Sequence, residues 1–237
     1  DYLDRGADAW PHAATAYRAI PLEREGSMRR SLLARSAEAA GLGEELATLL
    51  LEIGRTISPD EVRLDRLRDD IELLAKGGAD DQALAPFWRE IIGLDGAHPE
   101  ALTVLERVAR EASDIRELVD VLRRRADSSD DAAVARRLRI EMAQILGDAS
   151  GEEDEAIGLF HSLLMDAPED LLVFEQLASL YRRMERWQDL AELLKGQLQR
   201  TPDAEERGDW NRELSLLAWQ VFEDAARAVN HARATLV

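Results

Sequence analysis

Cysteine is absent from the 237 residues. That excludes a disulfide framework, thiolate catalysis and any zinc or iron–sulfur site built on cysteine sulfur, although it fixes no compartment. Lysine is nearly absent: Lys76 and Lys195 are the only two, and arginine supplies the other basic charges. Long apolar runs are missing too. Leu49-Leu50-Leu51 and Leu171-Leu172-Val173-Phe174 fall far short of the roughly 20 residues a helix needs to cross a bilayer. No stretch alternates with period two, and β-branched residues are scattered, so almost no strand is expected. The first residue is Asp1, with no basic segment leading into an apolar one. The chain is expected to be a fragment cut from a larger protein.

Other chemistries also lack their residues. The four histidines, His12, His98, His161 and His231, never pair at i, i+3 or i, i+4, and there is no His-Glu-x-x-His. A metal site would need ligands converging from distant segments, so no metal or other cofactor is expected. Gly41-Leu42-Gly43 lacks the third glycine and the preceding strand of a dinucleotide loop, and Gly77-Gly78 reads as a helix stop. There is no Gly-x-Ser-x-Gly, and without strands a nucleophile elbow has nowhere to sit.

What is present is acidic charge. Lys and Arg total 30 against 48 Asp and Glu, a net charge of −18 spread along the chain. Nucleic acid and anionic membranes are therefore not expected partners. The hydrophobic fraction, 46%, is enough for a packed core and argues against disorder. Arginine over lysine, with abundant alanine, suggests a GC-rich coding sequence and hence a bacterial source. The compartment stays unknown, with the cytoplasm favoured.

Shifted by 72 residues, the chain matches itself in pattern. Leu46, Leu118 and Leu190 align, as do Leu50, Leu122 and Leu194, then Leu33, Leu105 and Leu177. Ile20, Ile92, Leu164 and Leu236 form a further column, and Ala156-Ile157 falls on Ala228-Val229. Identities are few; apolar position is what recurs, as packing alone would require. Each unit divides into two amphipathic helix pairs. Phe174, Leu177, Ala178, Leu180 and Tyr181 share one helical face, and Leu190, Leu193, Leu194 and Leu198 share the next. Breaks fall at Pro59, Gly77-Gly78, Gly96 with Pro99, Gly151, Pro168 and Pro202. Ser58 is expected to cap a helix that has Pro59 in its first turn. The expected helices are 11–20, 24–40, 43–56, 59–76, 80–94, 99–112, 115–127, 131–147, 152–166, 170–184, 187–200, 204–222 and 224–236.

Residues 170–202 carry a large residue at Phe174, then Leu177, Ala178, Tyr181, Leu194, Leu198 and Pro202. At this spacing the segment resembles the tetratricopeptide repeat. Ala156, Phe160, Leu164 and Pro168 end the preceding hairpin in the same way, whereas Leu190 and Gln197 depart from the motif. The resemblance covers most of the chain as a pattern but only one or two hairpins as a motif. It implies an all-α protein: an α-solenoid, a right-handed superhelix of about six antiparallel helical hairpins with one continuous core over residues 1–237. It also implies a concave groove, lined by the first helix of each hairpin, that docks peptides or partner helices.

Groove-facing columns follow from that register. One holds Ser31, Thr103, Glu175 and Arg212; the next Arg35, Arg107 and Ser179; the last Glu38, Arg110 and Arg182. Arg35, Arg107, Arg110 and Arg182 form a basic line suited to carboxylates, and binding through it would be salt-sensitive. The plainer reading is that these arginines pair with neighbouring acids. Of the five tryptophans, Trp10, Trp88, Trp187 and Trp210 are expected in the core or between hairpins. Trp219 falls on the groove and is a candidate anchor, unless it packs on the next helix. Acidic clusters at Asp69-Asp70, Asp80-Asp81, Asp127 to Asp131 and Glu152 to Glu155 could be read as a cation or paired-carboxylate site. Most stand at helix starts, where they complement the helix dipole.

The expected function is a protein–protein interaction scaffold or adaptor, not an enzyme, that binds a protein or peptide in its groove. The alternative is a helical-repeat hydrolase or lyase using paired carboxylates on the concave face. Self-association through truncated repeat ends is a third expectation, with Ala228, Val229 and Leu236 exposed there.

Overall fold

A computed structural model describes residues 10–19, 27–200 and 203–235. Among these residues the chain is all-helical: α1 Trp10–Arg18, α2 Ser27–Ala40, α3 Gly43–Gly54, α4 Asp60–Lys76, α5 Asp81–Leu94, α6 Pro99–Ala112 and α7 Ile115–Asp127. There follow α8 Ala132–Asp148, α9 Glu153–Asp166, α10 Leu171–Arg183, α11 Trp187–Leu198, α12 Ala204–Gln220 and α13 Ala225–Ala234. Every expected helix is found, its ends within a few residues of the expected ones. The starts keep the sequence period. Ser27, Pro99 and Leu171 are 72 residues apart, and so are Gly43, Ile115 and Trp187, then Asp60, Ala132 and Ala204, then Asp81, Glu153 and Ala225. Ile20, Pro202 and Leu236, used above for register, lie outside the described residues.

The chain divides into two compact units, Asp1–Ser128 and Ser129–Val237. In the first, α2 to α7 pack each on the next, α2 also meets α4, and α3 also meets α5. In the second, α8 to α13 pack in the same serial way and α8 also meets α10. Contact with the neighbour and with the next but one is what amphipathic hairpins need, because one hairpin cannot bury its apolar face alone. The aligned leucines are the core: Leu50, Leu122 and Leu194 are fully buried, as are Leu105 and Leu177, and Leu33, Leu46, Leu118 and Leu190 are buried. Each is worth about 1.5–3 kcal/mol of burial.

Local chemistry closes the hairpins. Gly41, Ser113 and Glu185, again 72 apart, have φ of +69°, +55° and +55°. At each, the next residue's N–H reaches back five positions to close the helix end: Leu42 to Ala37, Asp114 to Ala109 and Arg186 to Tyr181, all at 2.9 Å. Asp80, Asp114, Asp131, Asp170, Asp203 and Asp224 cap helix starts through their carboxylates.

Two local expectations are corrected. The cap of α4 is Pro59, with no side-chain bond, and Ser58 lies outside the helix. Pro59 occupies the place where Asp131 and Asp203 cap α8 and α12, so here no cap side chain accepts from the first N–H groups, and Asp60 and Glu61 are the acids of the first turn. Ala228 is buried at 6% rather than exposed, because α13 turns it onto α12; Val229 is exposed at 49%.

Candidate functional site

Between the α2–α3 and α4–α5 hairpins of the first unit lies a cleft of about 860 Å³. Helix α2 brings Ser31, Ala34, Arg35 and Glu38 to it on successive turns. Helix α3 adds Leu46, Ala47 and Leu51, with Glu44 and Thr48 at the rim. The end of α4 and the turn after it contribute Leu73, Lys76, Gly77-Gly78, Ala79 and Asp80, and α5 closes the far side with Gln82, Ala83, Pro86 and Phe87. The floor is apolar and the charges stand at the mouth. Pro86 sits within α5 and has no N–H to return to the carbonyl of Gln82, a residue that also lines the cleft.

The register shows why the cleft exists here. Leu51 stands where the later hairpins have Arg123 and Lys195, and Ala83 stands where they have Glu155 and Arg227. Ala47 corresponds to Val119 and Ala191, which are buried at 5% and 4%, whereas Ala47 itself is only half-buried. Small and apolar residues therefore take places that elsewhere hold long charged ones. Reading each hairpin for its shared pattern misses these positions; comparing hairpins column by column finds them.

Of the eight residues expected to bind a partner, Arg35 alone lines this cleft, next to the groove-column residues Ser31 and Glu38. Arg35 has no ion-pair partner among the described residues. The other arginines of the expected line are engaged. Arg107 pairs with Asp81, and Arg110 with Glu106, which also holds Arg125. Arg182 forms a two-pronged pair with Glu213 at 2.7 and 2.8 Å and meets Glu175 at 3.7 Å. The Glu213 hydrogen bond raises the Arg182 pKa further above its ordinary value, so it stays charged. Arg212 pairs with Asp209 at 2.6 Å. The Thr103 hydroxyl donates to the Pro99 carbonyl at 2.8 Å and is turned into its own helix. Trp219, on α12 of the second unit, is 63% exposed beside Leu216 at 51%. Trp88 and Trp210 are buried, and Trp10 and Trp187 are half-buried.

The acidic clusters divide. Asp80 and Asp131 are helix caps, as their positions suggested. Asp70 is different: it lies in the middle of α4, fully buried, 2.7 Å from Arg66 and 3.4 Å from Arg30 of α2, while Asp69 is 59% exposed. Burial is the larger influence and raises the Asp70 pKa from 3.8 to about 6 against the opposing pull of Arg66 and Arg30. Asp69 also pairs with Arg30, at 3.0 Å, so the two neighbouring carboxylates share one guanidinium, and neither lines the cleft. His98 caps α6 through Nδ1, His161 Nε2 lies 2.6 Å from the Tyr181 hydroxyl, and His231 Nδ1 lies 3.1 Å from Asn211 Oδ1. Among the described residues no three His, Asp or Glu side chains gather as a metal site, and no helix is long and apolar enough to cross a membrane.

These features define an all-α protein of serially packed helices whose starts recur every 72 residues, an architecture compatible with a helical repeat. Compared with known proteins, the chain matches no family model and no curated relative.

Proposed function

We propose that the chain is a protein-docking scaffold of tetratricopeptide-like hairpins stacked as an α-solenoid, and that it holds a peptide or helix of a partner protein in the cleft beside α2, α3 and α5. The single observation that carries this reading is the cleft itself: an apolar floor, a charged mouth, and a volume of about 860 Å³, enough for a few apolar side chains. Binding energy would come from those anchors and selectivity from the charges at the mouth. A paired-carboxylate enzyme has no comparable support: Asp69 and Asp70 are both tied to Arg30, and neither lines the cleft.

A displayed library of random 16-residue peptides, selected on the chain, tests the docking. Peptides should be enriched whose binding falls at least tenfold in Ala47→Trp, which fills the cleft without changing charge. No enrichment, or peptides indifferent to that variant, contradicts the proposal. Small-angle scattering tests the stacking. A solenoid of 237 residues should give a radius of gyration well above the about 18 Å of a compact globule of this length.

A further inference from the structure

Resting on the docking reading, the geometry points to a partner of one kind: a basic amphipathic helix, its apolar face on the cleft floor and its cations at the mouth. Three carboxylates, Glu38, Glu44 and Asp80, stand there against Arg35 and Lys76. Lys76 is already turned to Glu72 at 2.6 Å, whereas Glu38 and Glu44 have no ion-pair partner among the described residues. The register makes this a local departure. Glu38 occupies the column of Arg110 and Arg182, and Glu44 the column of Arg116 and Gln188. At Glu38 the repeat has exchanged a cation for an anion, and at Lys76 it has done the reverse relative to Asp148 and Gln220. The Asp80 position is acidic in all three repeats, and in the lining Leu51 and Ala83 replace charged residues.

Two further facts agree. Pro86 gives the Gln82 carbonyl no helical N–H donor, and Gln82 is among the residues that line the cleft. The net charge of −18 draws in a cationic segment and repels an acidic one. Of the expected basic line, Arg107, Arg110 and Arg182 are each paired with a carboxylate of their own chain, which leaves Arg35 as its one member at the cleft, against Glu38 and Glu44.

Two synthetic 18-residue helical peptides test this. They share one leucine face at i, i+4, i+7 and i+11, and differ in a polar face of Lys and Arg or of Glu. Calorimetry on the whole chain should show the basic peptide binding at least tenfold tighter than the acidic one. Its binding should weaken at least tenfold in Glu38→Arg/Glu44→Arg, a variant that copies residues the other hairpins already carry. Ala47→Trp should weaken it as much, with circular dichroism confirming that both variants keep their helix content. A basic peptide that binds both variants as well as the parent chain is held by diffuse charge, and the inference falls. An acidic peptide that binds equally or better, and loses binding in Ala47→Trp, overturns the inference while leaving the docking reading intact. If neither peptide binds, the inference falls, and the library selection judges the docking reading separately.

Discussion

Asp70 carries a negative charge into a place where the repeat otherwise puts hydrocarbon. Its counterparts 72 and 144 residues on are Met142 and Leu214; those of Arg66 are Leu138 and Trp210, and those of Arg30 are Leu102 and Phe174. In the second unit Phe174, Trp210 and Leu214 are all buried, the two rings 5.3 Å apart. The first unit fills the same register with a buried Arg–Asp–Arg cluster. Removing Asp70 takes a buried carboxylate from both Arg66 and Arg30, so Asp70→Ala should cost about 3 kcal/mol in chemical denaturation, Arg30 keeping Asp69. Replacing all three as Arg30→Phe/Arg66→Trp/Asp70→Leu should be neutral, or stabilise by about 1–4 kcal/mol. The cluster also sets a pH dependence. The folded carboxyl, raised to about 6, takes up a proton before the unfolded one at 3.8 does. Stability from this group therefore rises as the pH falls from 7 towards 4, by on the order of 2 kcal/mol. Measured against Asp70→Asn over that range, the parent chain should gain; a constant difference would contradict the raised pKa. This residue was not legible from sequence. Asp69-Asp70 looks like any acidic pair, and its burial depends on Arg30, 40 positions away on another helix.

At the scale of the element, the helices were nearly all legible, because the leucine columns and the breaks between them repeat three times. What sequence left open was how the same turn is made by different residues. The left-handed position falls on glycine at Gly41 but on Ser113 and Glu185 in the later hairpins, where a Cβ makes that conformation costly. Ser113→Gly and Glu185→Gly should each stabilise by about 0.5–1 kcal/mol, read as a rise in the unfolding midpoint. The α4 start shows the converse. Asp131→Ala and Asp203→Ala should each cost about 1 kcal/mol by removing a carboxylate from two backbone N–H groups. The cleft was legible only in part. Arg35 and its neighbours on α2 follow from the groove columns, but the apolar lining needs the substitutions at the half-buried Leu51 and the exposed Ala83, which stand out only when hairpins are compared.

For the whole molecule, charge and hydrophobic docking act on different rates. Steering by a field of −18 should raise the association rate of a basic segment, and salt should lower that rate on the order of tenfold between about 50 and 500 mM. Filling the cleft should instead speed dissociation. The measurement that tests the account most directly is hydrogen–deuterium exchange on the full chain, with and without a peptide taken from the library selection. Slowed exchange should be confined to residues 31–51 and 73–87, the segments that build the cleft. Protection centred on the exposed Leu216 and Trp219 of α12, or no localised protection at saturating peptide, would contradict it.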